Sequence, residues 1–263
     1  MVLNKIFKDE RWLVKKKYAL IADIHGNIYG LNAVLNDIKK RNVDDIYCLW
    51  DTIDIGPDSK ECVDKLIELN VKTILGNHEL YLLRGTEIEP SIVGEEKEHY
   101  KRVKNSLGNK EIGFLKSCPL YFELGTNIPN KKIILCHYFI KDEKLRQPFE
   151  ENHLKRNPNL LVKYNDPNIL YIIGHLHKSF DLNEIYGTSK INKLVNIEIV
   201  DSAGCSYDEY VSYMILEIGK SVKCTKVKVK FNRDEFIDKV ERTDFPDKVN
   251  IMKIFYGIDK TNL

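Results

Sequence analysis

"YALIADIHGN", residues 18–27, sets the pattern of the first half of the chain. Its apolar run stops at Asp23 and His25, and "NIYGLNAVLNDIKKRN" follows, with Ile28, Leu31, Val34, Leu35 and Ile38 at helical spacing. "DDIYCLWD" (44–51) returns to a strand-like run, "DSKECVDKLIELN" (58–70) is helical again, and "VKTILGNH" (71–78) reads as a third strand. Strands separated by helices imply βαβ units and a largely parallel sheet.

Working outward, residues 79–118 are charged and helical, with Ile92, Tyr100, Val103 and Leu107 as a modest apolar stripe, and are expected to form a cap or insertion. A strand-rich second half follows, from "LYFELG" (120–125) through "KKIILCH", "NILYIIGH", "IEIVDSAG" and "EYVSYMILEIG" to "CTKVKVKF" (224–231). Residues 139–167 hold Pro148, Pro158 and Pro167 and few apolar side chains, so they read as loop. The tail, 233–263, is expected to carry two helices around Pro246 as an extension of a single domain spanning 1–263.

Composition narrows the function classes. Lys plus Arg at 41 nearly balances Asp plus Glu at 39, a net charge of +2 that announces no nucleic-acid surface. The first seventeen residues mix charges and lack the apolar core of a secretory signal, and no apolar stretch reaches membrane-spanning length. Six cysteines without a CxxC fit reduced thiols. A cytoplasmic protein without membrane association is the expectation.

Five strand-like runs end alike: in Asp23 and His25, in Asp51, in Asn77 and His78, in His137, and in His175 and His177. The carboxyl ends of strands form the rim where open α/β sheets bind ligands, so these side chains can gather despite their separation in sequence. Carboxylate, imidazole and amide oxygen suit divalent Mn, Fe, Ni or Zn, and seven ligands fit two ions sharing a carboxylate. Residues i and i+2 of an extended chain face one way about 6.6 Å apart, so His175 and His177 can reach different ions.

The blocks "ADIHGN", "WDTIDIGPD", "LGNHE", the isolated "CH" and "GHLH", in that order, resemble the signature of the calcineurin-like metallophosphoesterase superfamily. "GPDSKECVDKL" is similar to its bacterial phosphodiesterase-type branch. The resemblance implies a four-layer αββα sandwich of two mixed sheets flanked by helices, with the metal site at the carboxyl ends of the strands. It implies hydrolysis of phosphomonoesters or phosphodiesters by a metal-bridging hydroxide. It assigns Asp23, His25 and His177 to one ion, Asn77, His137 and His175 to the other, with Asp51 bridging, His78 as general acid and Glu79 orienting His78. Manganese is the favoured ion, and the expected substrate is a small phosphoester or nucleotide-like molecule. The alternative reading is a binding scaffold on the same fold with little or no catalysis.

Several positions depart from the family pattern. Trp50 stands where the family has glycine before the bridging aspartate, which implies either an ordinary backbone with the indole packed beside the site or a reshaped pocket. Glu79 replaces aspartate, and Tyr138 replaces glycine and is placed to narrow the pocket. Asp54 reads as a carboxylate supporting the ligands and Asn27 as a helix cap or phosphate contact. Glu96–His99 and Glu150–His153 have the Glu-x-x-His spacing of di-iron proteins. The proline-bounded, polar second pair argues against that reading, which leaves His99 and His153 as cap or surface residues.

Overall fold

The computed structural model describes residues 15–138, 166–178 and 196–259. In chain order it runs β1 (Lys16–Ile21), α1 (Ile28–Ile38), β2 (Asp45–Cys48), α2 (Ser59–Glu68), β3 (Lys72–Thr73) and α3 (Asn77–Arg84). Then come α4 (Gly94–Ser106), α5 (Asn109–Ser117), β4 (Tyr121–Gly125), β5 (Lys132–Cys136), β6 (Ile169–Ile173) and β7 (Ile197–Ile199). The long hairpin β8 (Tyr210–Ile218) and β9 (Val222–Lys230) precedes α6 (Arg233–Arg242) and α7 (Lys248–Tyr256). Most of 139–167 and all of the Glu150–His153 pair lie outside the described residues.

Two mixed sheets result, β3-β2-β1-β8-β9 and β4-β5-β6-β7. β1, β2 and β3 are parallel, as the alternation of strands and helices predicts, while β8 joins β1 antiparallel with Tyr18 opposite Leu216. Side chains alternate across the pleat. Ala19 and Ile21 of β1, with Val211, Tyr213 and Ile215 of β8, pack under α1, α2, α6 and α7. Leu20, Met214 and Leu216 face the other way, against Ile133 and Leu135 of β5 and Ile172 of β6. That inner layer joins the sheets face to face, and helices flank the sandwich.

Local signals place the first helix. Asn27 caps α1, its side-chain oxygen accepting from the Gly30 N–H at 2.8 Å, and its amide donates to the Gly204 carbonyl at 2.8 Å. Both polar ends of this buried side chain are thus occupied, so capping is its observed role. The parallel order of β1, β2 and β3 directs their carboxyl ends to one edge. The loops after β5 and β6 arrive at the same edge from the second sheet.

Candidate metal centre

The loops at that edge hold an unusual backbone. Asp23, His25, Trp50, Asp51, Asp54, Ile55, His175 and His177 all adopt the left-handed conformation, with φ between 47° and 71°. Each such residue costs on the order of 1 kcal/mol unless its surroundings fix it. Backbone bonds between the loops do so: Asp23 N–H donates to the Trp50 carbonyl at 2.6 Å, and His25 N–H to that of Asp51 at 2.8 Å. Trp50 therefore keeps the glycine-like φ, contrary to an ordinary backbone. Its indole is fully buried in the inter-sheet core, its ring centroid 6.5 Å from that of Phe114.

The side chains these loops present converge. His137 Nδ1–H donates to the Leu49 carbonyl at 2.8 Å, which turns its Nε2 to Asp51 Oδ2 at 3.0 Å and Asn77 Oδ1 at 3.1 Å. His175 Nδ1 is 3.0 Å from the same Asn77 oxygen, and its backbone N–H donates to Asp23 Oδ1 at 3.0 Å. On the other side His25 Nδ1 faces the Ile53 carbonyl at 3.3 Å, leaving His25 Nε2 only 3.0 Å from His177 Nε2. Asp51 Oδ2 is also 3.9 Å from His25 Nε2, so one carboxylate lies between the two groups of imidazoles. Gly76 makes this possible, because a Cβ there would meet Asp51 Oδ1 at 2.2 Å.

The donor set fits divalent cations. The His25 and His177 imidazoles bring their Nε2 atoms to 3.0 Å, and Asp23 Oδ2 is buried without a hydrogen-bond partner. Donor atoms of Asp51, His137 and His175 lie within 4.8 Å of one another, as do those of His25, His177 and Cys205 and those of His25, Asp51 and His78. Electrostatics agree. Burial, helped by the neighbouring Asp51 carboxylate, pushes Asp23 well above the usual carboxylate range. For Asp51 burial acts in the same direction but is outweighed by the imidazoles of His137 and His78, which hold it well below that range. Burial lowers His177 to about 3 and holds His25 well below its ordinary value, keeping both neutral as ligands must be.

His78 sits beside this cluster with its own partners. Its Nδ1 is 2.6 Å from Asp54 Oδ2, and its Nε2 is 3.8 Å from Asp51 Oδ2. Burial alone would lower His78, but the carboxylates of Asp51 and Asp54 offset it and raise the imidazole to about 10. The Glu79 carboxylate accepts no hydrogen bond from His78. The Glu79 carboxylate accepts instead from the Thr52 and Ile53 N–H groups at 3.0 and 3.2 Å, bracing the Asp51 loop, and Asp54 is the carboxylate that meets His78.

Three further residues line the cluster: His99, which the sequence placed at a cap or the surface, Tyr138, which it placed at the pocket, and Phe255, which it did not single out. His99 is buried, not a surface residue, with Nε2 2.9 Å from Asp54 Oδ1. Tyr138 stacks on His175 with centroids 5.3 Å apart. Phe255 of α7 lies 5.8 Å from the His177 ring and 6.3 Å from that of His25. No sequence signal placed Phe255 there, since it is distant along the chain and carries no metal-binding chemistry.

The sequence profile described as calcineurin-like phosphoesterase matches residues 16–194. The chain belongs to that family. The family match agrees with the His and Asp clusters, which could hold metal ions. It is 32% identical over 177 residues to the uncharacterized protein MJ0912 of Methanocaldococcus jannaschii, 64% of this chain and 65% of that one, so the match spans just under two thirds of the relative. Its fold is that of a metallophosphoesterase from Sphaerobacter thermophilus, with a TM-score of 0.62, 18% identity and coverage of 92% of this chain and 100% of that one. A hypothetical protein, PH1004, from Pyrococcus horikoshii aligns with a TM-score of 0.65 and 16% identity, covering 92% and 99%. Among the described residues no helix is long and apolar enough to cross a membrane.

Proposed function

We propose that this calcineurin-like phosphoesterase hydrolyses small phosphomonoesters or phosphodiesters, nucleotide-like molecules included, with two divalent cations, manganese first among Mn, Fe, Ni and Zn. The observation that carries the reading is the position of Asp51, whose carboxylate lies between the His25 and His137 imidazoles with His78 against it. Asp23, His25 and His177 would hold one cation, Asn77, His137 and His175 the other, and Asp51 both.

When bound, the cations supply Lewis acidity to the phosphoryl oxygens, acidify water towards neutrality and offset the carboxylate field at His78. The remaining work belongs to the protein's own groups. Asp54 takes the Nδ1 side of His78 and leaves Nε2 as the edge turned to the site, where its proton can pass to the leaving oxygen. Glu79 fixes the backbone on which Asp51 is mounted.

Manganese-loaded protein, assayed on aryl mono- and diesters, nucleotides and cyclic nucleotides alongside metal analysis, tests the reading. Asp51→Asn is expected to abolish turnover and reduce bound metal, whereas His78→Ala keeps metal and slows turnover by about 10²–10⁴. Undiminished hydrolysis by Asp51→Asn removes the shared-carboxylate role. Fewer than one ion per wild-type chain under saturating manganese moves the assignment to a scaffold.

A further inference from the structure

The helix that carries His99 and Tyr100 lies outside the strand-end loops, yet both residues reach the candidate proton donor. Asp54 has an imidazole at each carboxylate oxygen: His78 Nδ1 is hydrogen-bonded to Oδ2 at 2.6 Å, and His99 Nε2 approaches Oδ1 at 2.9 Å without hydrogen-bond alignment. Asp54 and His99 are each 4% exposed, so water does not compete for these contacts. Among the described residues neither Asp54 Oδ1 nor His99 Nε2 has another partner, so the cost of leaving two buried polar atoms unpaired draws them together and restrains rotation of the carboxylate about its Cβ–Cγ bond. Tyr100, the next residue on α4, lies along the face of His78 with centroids 5.8 Å apart and planes 20° apart, its hydroxyl oxygen 2.6 Å from His78 Nδ1. The far side of His99 rests on Phe245, centroids 4.9 Å apart, ahead of α7.

We infer that His99 is a positioning residue for proton transfer: from α4 it clamps Asp54, and through Asp54 it sets the ring orientation of His78. The inference rests on the proposed role of His78 as acid. It also changes what residues 79–118 do. They complete the donor, and a cap that only covered the sheet edge would have no need of a histidine on Asp54. Acid assistance matters most when the leaving oxygen is basic, so a loosened His78 penalises poor leaving groups selectively.

The test compares wild type, His99→Leu and His99→Gln as manganese-loaded full-length protein, on phenyl and 4-nitrophenyl esters of the same phosphate. His99→Leu is expected to lower kcat on the phenyl ester by about 10- to 100-fold, with KM and bound manganese unchanged. The 4-nitrophenyl ester should lose no more than about threefold, and His99→Gln, which restores an N–H donor, should recover most of the loss. An equal loss on both esters, loss of metal, or no loss at all overturns the inference while leaving phosphoester hydrolysis in place. A second readout needs no turnover: proton NMR of the metal-free protein should place the His78 Nδ1 proton far downfield, and His99→Leu should shift or broaden it while His99→Gln keeps it. If that signal behaves so but wild type cleaves no ester, the positioning stands and the hydrolase reading falls. A signal indifferent to His99→Leu overturns the positioning itself.

Discussion

The Trp50 indole is fully buried beside Phe114 while its backbone sits at φ 71°, a conformation that favours glycine. Two opposed terms meet in one residue, and their magnitudes decide the outcome of Trp50→Gly. Relief of the left-handed backbone returns about 1–2 kcal/mol, whereas removing a buried aromatic side chain costs about 3–5 kcal/mol. The variant should therefore be less stable by about 1–4 kcal/mol in urea unfolding, with the ranking of phosphoester substrates unaltered. A reordered substrate ranking at unchanged stability would instead place the indole in the pocket. The candidate ligands were legible in sequence because Asp, His and Asn recur in order at the ends of five strand-like runs, although each block alone reads as readily as a helix cap or a turn. The roles of Glu79 and His99 were not, because which oxygen meets which N–H depends on loops that fold back over tens of residues.

Helix α1 was legible from its apolar spacing and its Asn27 cap, and the structure buries Leu31, Val34, Leu35 and Ile38 as that spacing requires. β3 shrinks to Lys72–Thr73 because the chain turns at once into Gly76 and the Asn77 helix. The antiparallel insertion of β8 beside β1 was not legible, since alternation of apolar residues fixes a face but not a partner. The same holds for α7, where adjacent residues serve different ends. Tyr256 is 1% exposed and packs on Phe236, centroids 5.0 Å apart, while Phe255 is half-buried and flanks the His25 and His177 rings. Tyr256→Ala should destabilise the fold by about 3–5 kcal/mol in urea unfolding. Phe255→Ala should cost about 1 kcal/mol and show itself as weaker manganese retention on dialysis, because an apolar wall governs water access to metal ligands. Equal effects of the two substitutions on stability would place Phe255 in the core and remove its role at the site.

On the scale of the whole molecule the candidate site joins the two sheets: Asp23, His25 and Asp51 come from one, His137, His175 and His177 from the other. Cations that bind the folded chain alone therefore stabilise it, by about 4 kcal/mol at a thousandfold excess over Kd, and chelation should lower Tm accordingly. Acid acts on the chelated protein through groups of opposite sign. Burial pushes Asp23 up and, with Asp51, Glu79 also, so the folded chain binds their protons more readily than the unfolded chain does. Burial lowers His177 to about 3 against an ordinary 6.5, so between those values the unfolded chain takes up a proton that the folded one refuses. The His177 contribution is thus present above pH 6.5 and lost as pH falls from 6.5 towards about 3. A raw pH profile mixes these signs, and the difference between wild type and His177→Gln isolates one of them. In chelator, the stability of wild type relative to His177→Gln should decline on acidification through that window, with a slope approaching ~1.4 kcal/mol per pH unit, the value for one proton. A difference that stays flat across the window would mean that His177 takes up its proton in the folded chain as readily as in water, and that its imidazole is not held neutral for a cation.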